Sequence, residues 1–350
     1  AGEIAAPEAG GLAVLASAPR LTWFAPELVG LAGPLRLAWE VSAFTPDRII
    51  LHCRMFLDAT TGEPLFQYSR SCSSLNRTIF DANNNPTSLP LPTRIEGAPA
   101  SSIADANVTY TNIAKAYNFF LNQHGRYGLS GTDLPIFAAV RVCIAGWPCP
   151  WANAAWSGAV VEAVGQIPGF SINEGLLSFG QGWTVLDIVA HEYTHGVTEF
   201  ESGLIYANAS GAINESFSDI WGEFVDQTYG TSGITSPKWN IGQDLPGGRI
   251  RSMSQPWLPP FNDPDRLGDT NFVLPLSTVN LGNDYGGVHK NSGVINKLCY
   301  LLTDGSSFRD YMISGMGKGS VLSLFYEVNA HLLASTADYT DLAAALHRAA

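Results

Sequence analysis

The sequence predicts an α+β protein of two lobes, β-rich at the front and mainly α-helical at the back. A single helix stands between the lobes, and a small β unit precedes them. Three observations carry this. Alternating apolar patterns are confined to the first half, and a 3.6-residue apolar period dominates from Thr184 onward. A hydrophobic content of 46% over 350 residues is enough for two or three domains with sizeable cores. Charged residues are only 14%, with 35 Gly and 21 Pro, which predicts many turns and a neutral polar surface.

Taken in order, residues 35–66 read as strand, turn, strand: LRLAWEVSAF, RIILHCRMFLDA, the turn TTGE, then PLFQY. The Ser-rich RSCSSLN (70–76) is an exposed connection and a first boundary. Residues 77–100 carry turn residues between short apolar pieces, as hairpins at a sheet edge do. Ala104 to Leu121 is helical, with Ile113, Ala116, Tyr117, Phe120 and Leu121 on one stripe, and LPIFAAVRVCI (134–144) is a buried strand. A Gly-rich stretch then runs to Gly182. Thr184 opens the central helix, with Asp187 three positions on as an approximate capping box and Gly203 as its stop. GAINESFSDIWGEFVDQTYG (211–230) is a second helix, and after a loop-rich region three further helical segments follow from about His289. The expected domains are 1–72, 73–203 and 204–350.

A net charge of −12 and a pI near 4.9 argue against nucleic acid or an anionic membrane surface as partner. No apolar run approaches the 18 residues of a membrane span. The start, AGEIAAPEAG, has no basic and apolar leader, so a signal peptide is expected to have been removed or to lie outside this sequence. Cys143 and Cys149 flank a turn-forming spacer that lets them bridge, which implies an oxidising, extracellular setting; Cys299, in an apolar run, reads as a buried thiol. GMGKGS (315–320) fails the spacing of a phosphate loop.

The chemistry centres on HEYTH. On a helix, His191 and His195 share a face and can present two imidazoles to one point, with Glu192 beside them as a base. In a chain with seven His the pentapeptide arises by chance in roughly one case in 200, so it needs a third ligand. Glu215, 24 residues after His191, supplies a carboxylate, and Asp219 one turn further can fix the tautomer of a liganding His.

At this point the sequence resembles the thermolysin family of zinc metalloendopeptidases, bacillolysin-like neutral proteases. HEYTH with GAINESFSD is the family's paired signature, and NAAW, GLIY, RSMS and DYGGVHKNSGVINK follow its order over most of residues 77–350. The resemblance implies a two-lobed thermolysin-like fold with the active-site helix between the lobes. It implies one catalytic zinc on His191, His195 and Glu215, and hydrolysis by zinc-activated water with Glu192 as general base. His289 and Tyr206 match the donors to the developing oxyanion, and Asp284 the carboxylate that orients His289. Asn153 and Ala154 match the edge that holds an extended peptide, and Arg251 a donor to a substrate carbonyl. Ile188 and Ile250 fall in a pocket for a bulky apolar side chain after the scissile bond. A secreted, monomeric enzyme acting on polypeptides is expected.

The resemblance also implies calcium, but here its site is weakened. Asp187 and Asp226 fall on two acidic ligand positions, while Lys238, Asn240 and Gln243 stand where further carboxylates belong. The expectation is that the Lys238 ammonium pairs with Asp187 or Asp226 in place of one ion. The loop from Asp244 to Arg251 is shortened, and Ser157 to Gly182 is unlike the family. Residues 35–65 resemble the end of the family's propeptide through LAWEV and LDATTGEPL, so a propeptide remnant is expected in the same chain, processed between about Phe66 and Thr78. The family adds a helical segment beyond the point where Ala350 interrupts the last helix. Against the peptidase stand a silent, propeptide-locked zinc protein acting by interaction alone, and a zinc hydrolase of small esters.

Overall fold

A computed structural model describes residues 15–16, 19–24, 26, 33–44, 51–69, 75–86, 92–132, 134–158, 175–230 and 238–350. Contacts divide the chain into two units, 1–74 and 75–350.

The first unit is an antiparallel sheet of β1 (Leu15–Ala16), β2 (Arg20–Phe24), β3 (Arg36–Phe44), β4 (Leu51–Asp58) and β5 (Pro64–Ser69), in the order β1-β3-β4-β5 with β2 also on β3. The sequence's strand–turn–strand reading is β3 to β5. The turn between β4 and β5 forms because Asp58 Oδ1 accepts the N–H groups of Thr60 and Thr61, at 2.8 and 3.0 Å, and Gly62 supplies a φ of +75°.

The second unit opens with β6 (Arg77–Asp81) and β7 (Pro92–Ile95), the hairpin at the sheet edge, and then α1 (Ala104–His124). α1 runs one turn past its expected end because Gly125, at φ +66°, provides the left-handed cap. β8 (Ile136–Val140), β9 (Ala154–Ser157) and β10 (Leu176–Phe179) complete a sheet ordered β7-β6-β8-β10-β9. β6, β8 and β10 are parallel and central, which explains the unbroken apolar runs of IFAAV and LLSF. β9 is antiparallel to β10 and forms the other edge.

Next come α2 (Leu186–Phe200) and α3 (Asn208–Tyr229). The capping box at Thr184 and Asp187 does not form: the helix starts at Leu186 behind Val185, with no side-chain cap. Asp187 is buried beside α3, and its two oxygens accept instead the N–H groups of Ile188 and Gly242, at 2.9 and 2.5 Å. α2 is buried on every face from Leu186 to Thr198, so each polar side chain on it needs an internal partner. α2 and α3 approach closely at Gly222, where a Cβ would stand 2.8 Å from the carbonyl oxygen of Asp187. That close crossing brings HEYTH against GAINESFSD.

Short strands β11 (Asn240–Ile241) and β12 (Arg251–Ser252) pair with each other. α4 (Asp284–Asp304) is followed by the hairpin of β13 (Gly305–Phe308) and β14 (Tyr311–Ser314). α5 (Lys318–Glu327) continues as a π turn over Val328–Leu332, and α6 (Tyr339–Ala349) begins with a capping box at Asp338. One core joins α1, α2, α3, α4, α5 and α6 to the sheet, with Phe120, Tyr193, Phe217, Trp221 and Phe325 among its largest buried side chains.

Cys143 and Cys149 are bridged and Cys299 is a buried thiol, whose pKa burial pushes up. Cys72, part of the Phe66–Thr78 processing region and residues 159–174 lie outside the described residues. No helix among the described residues is long and apolar enough to cross a membrane.

Candidate metal centre

One turn from each of two helices builds the centre. α2 supplies His191, Glu192 and His195, and α3 supplies Glu215 and Asp219, all buried. His191 Nε2 lies 3.1 Å from His195 Nε2 and 3.5 Å from Glu215 Oε2, and His195 Nε2 lies 3.3 Å from Glu215 Oε1. A tetrahedral ion with bonds of about 2.1 Å spaces its ligands by roughly 3.4 Å, so this triangle is the size that zinc requires. Glu215 Oε2 is buried with no hydrogen-bond partner, as a carboxylate oxygen reserved for a cation would be. Two imidazoles and a carboxylate are also the donor types of a catalytic zinc site. The cluster of His191, His195 and Glu215 therefore fits zinc.

Charge at the cluster is arranged around the histidines. Burial by itself would lower the His191 pKa, but Asp219 and Glu215 outweigh it and hold it at about 10. His191 Nδ1 lies 2.9 Å from Asp219 Oδ1. Burial raises the Glu192 carboxyl above its usual range, opposed by the two histidines and by a hydrogen bond from the backbone N–H of Trp156.

Partners that sequence reasoning missed complete the frame. Asn214 accepts at His195 Nδ1 over 2.8 Å and donates to Leu204 O, which fixes that ring as Asp219 fixes the other. Its position just before Glu215 on the same helix was the available signal. Asn296, from α4, donates to Asp219 Oδ2 at 2.7 Å. Nothing in the sequence spacing links it to the HEYTH helix.

Tyr206, His289 and Asp284 come together beside Glu215. The Tyr206 hydroxyl donates to Glu215 Oε1 and lies 3.2 Å from His289 Nε2. His289 Nδ1 bonds Asp284 Oδ1 at 2.5 Å, and Asp284 Oδ2 caps α4 by accepting the N–H groups of His289 and Lys290. Asp284 reaches back because it and Tyr285, Gly286 and Gly287 all have positive φ, the last two with no room for a Cβ against Asn208 and Val273.

Arg251 belongs to the same network. It is buried, and its Nε and Nη2 donate to Asp219 at 2.7 and 2.6 Å, leaving only Nη1 for any substrate carbonyl. Asn153 is exposed just before the edge strand, and Ala154 begins that strand. Ile188 is buried and Ile250 half-buried.

Calcium is a poorer match. Asp187 spends both oxygens on N–H donors, Asp226 Oδ2 accepts the Gln243 side-chain amide at 2.9 Å, and Glu223 Oε1 accepts from Trp239 N–H and Gln227. Lys238 departs from its expected place: it is exposed, and among the described residues no ion pair joins it to Asp187 or Asp226. An ammonium is hydrated better at the surface, and the buried carboxylates already have amide partners. Burial raises Asp187 and Glu223 to about 7, so these groups carry protons rather than requiring a cation.

Known proteins share this architecture. A family model for the catalytic domain of thermolysin metallopeptidases matches residues 79–199, and one for their alpha-helical domain matches residues 202–350. The chain is 33% identical over 357 aligned residues to a zinc metalloproteinase of Renibacterium salmoninarum, covering 93% of this chain and 62% of the relative. It is 34% identical to a thermostable neutral protease of Geobacillus stearothermophilus, covering 84% and 48%. Among solved structures, the precursor of protealysin, a metalloproteinase from Serratia proteamaculans, matches with a TM-score of 0.59 and 26% identity over 79% of this chain and 81% of that one. The chain spans about half to three-fifths of the length of these curated relatives. With both lobes matched in order and the ligand triangle closed between them, the chain belongs to the thermolysin family of metallopeptidases.

Proposed function

We propose that the chain is a secreted zinc endopeptidase made with its own pro-segment. The observation that carries this is the convergence of His191, His195 and Glu215 within hydrogen-bond-scale distances, beside Glu192 and facing Tyr206 and His289. Zinc bound there supplies Lewis acidity, lowering the pKa of water and polarising the scissile carbonyl. Glu192, whose carboxyl burial raises above its usual range, accepts the proton of the attacking water and passes it to the leaving amine. Tyr206 and His289 donate to the oxygen on which negative charge develops, with Asp284 holding the His289 ring. The free side of β9, from Asn153 and Ala154, takes an extended peptide by strand addition. Ile188 and Ile250 favour a bulky apolar residue after the scissile bond, and Arg251 positions Asp219 and meets a substrate carbonyl through its remaining nitrogen.

Residues 1–72 serve as the propeptide remnant, with the catalytic lobes at 73–203 and 204–350. The likeness to a protealysin precursor supports association with that segment. The disulfide agrees with an extracellular setting. The polypeptide is the partner, the chain acts as a monomer, and calcium is not required.

The test is cleavage of casein by the full chain before and after limited proteolysis of the pro-segment, with and without a chelator and zinc add-back. Chelator-sensitive hydrolysis that Glu192→Gln abolishes is expected. Activity indifferent to chelator, or hydrolysis of small esters without peptides, would overturn the reading.

A further inference from the structure

Trp156 occupies a place that no ligand or catalytic role explains. It lies on β9, opposite Leu177 of β10, and its indole is packed against the main core. Two glycines flank that ring. A Cβ on Gly175 would stand 2.0 Å from the indole's Cη2, and one on Gly196 would stand 3.3 Å from Cη2 and Cζ2. Gly196 belongs to α2, one residue after the ligand His195, so the indole rests directly on the metal-binding helix. The indole N–H donates to Glu199 Oε2 of the same helix at 2.6 Å. The backbone N–H of the same residue donates to the Glu192 carboxylate. One tryptophan thus grips α2 at Glu192, Gly196 and Glu199, positions that follow one another along one helix face.

Strand β9 is only four residues long, and among the described residues it pairs with β10 alone. An edge strand so short has little of its own to fix its height above the helix. We propose that Trp156 is a positioning residue: its glycine-cradled indole, tied to Glu199, sets the spacing between the peptide-holding edge and Glu192. This rests on the peptidase reading above. The consequence is that the edge's alignment with the base depends on a bond one helical turn beyond the ligand His195.

The test compares Trp156→Phe, which keeps the ring and loses the N–H, with Glu199→Leu, Glu199→Gln and the double variant Trp156→Phe/Glu199→Leu. Each loss of the bond is expected to lower kcat by about tenfold with KM within about twofold, as small misalignments of reacting groups do. Zinc content and Tm stay at the parent's values. Glu199→Gln keeps an acceptor and retains kcat, and the double variant is no worse than either single one. Amide hydrogen exchange over residues 154–157 supplies a readout independent of activity, and it is expected to speed by about tenfold in the two bond-deleting variants. A chain without chelator-sensitive hydrolysis defeats the peptidase reading, whereas exchange then still reports the tie. Unchanged exchange and kcat, multiplicative losses in the double variant, or losses that follow Tm or zinc content would overturn the proposal.

Discussion

At the scale of residues, the centre divides into three groups placed to hold a metal, a carboxylate beside them, and side chains that hold the others still. Glu192 is not one of the three clustered ligand residues, so Glu192→Gln is expected to cut kcat by about a thousandfold while zinc stoichiometry, measured by elemental analysis, stays at one. Asn214 acts through His195. Asn214→Ala frees the ring to rotate, and zinc affinity in a competition titration is expected to fall by about 10- to 100-fold. An unchanged affinity would mean that burial alone orients His195. Reading the sequence produced His191, His195, Glu215, Glu192 and Asp219, because ligands at i and i+4, and a carboxylate one helical turn from another, are properties of a helix and need no tertiary information. Asn214 carried only the weak signal of its place before Glu215, and Asn296 carried none, since an asparagine's partner is decided by what packs against it.

At the scale of elements, the α2–α3 crossing is the frame of the site. Gly222 permits the two backbones to touch, and a methyl group there would meet the Asp187 carbonyl at 2.8 Å, an atom that cannot step aside. Gly222→Ala is therefore expected to lower Tm by several degrees and weaken zinc binding together, measured by calorimetry and titration. The same helices end in the carboxyl cluster of Asp187, Glu223 and Asp226. Because amide groups already fill its oxygens, millimolar-order calcium is expected to shift Tm by no more than about 1 °C in the Glu192→Gln protein, which removes self-digestion from the comparison. A rise of several degrees would restore the cation. Sequence pattern located both helices to within a few residues, but the start of α2 differed. The pattern places Asp187 in a cap, whereas burial beside α3 gives its oxygens to the N–H groups of Ile188 and Gly242.

At the scale of the whole molecule, pH acts through groups that keep unusual protonation on folding. Asp187 and Glu223 hold protons up to about 7 when folded and release them near 4 when unfolded. Between those values the folded chain binds more protons, so this contribution to stability is complete below about pH 4 and is lost as pH rises through 7. Asp81 and Glu96 run the other way, lowered by Arg141 and Arg77 against a burial cost, and lose their contribution in acid. Tm is therefore expected to fall as pH rises from about 4.5 to 7, and Glu223→Gln, which can still accept at Oε1, to remove about half of that fall. An identical pH profile in the variant would show that Glu223 is ionised when folded.

By itself the sequence determined the class of the fold, the course of its main helices and the histidine pair of HEYTH, with Glu215 as the expected third ligand. The first three follow from period-2 and period-3.6 patterns and from residue spacing along one helix, which are local properties of the chain, whereas Glu215 stands on the next helix and was reached through the paired signature. Tertiary structure alone decided which polar side chain meets which. It gave Arg251 to Asp219, left Lys238 in solvent, set Gln243 against Asp226 and seated the Trp156 indole between Gly175 and Gly196. The physical reason is that a buried donor or acceptor must be satisfied by whatever the fold brings within about 3 Å, and that distance is set by helix crossings and strand order rather than by position in the chain.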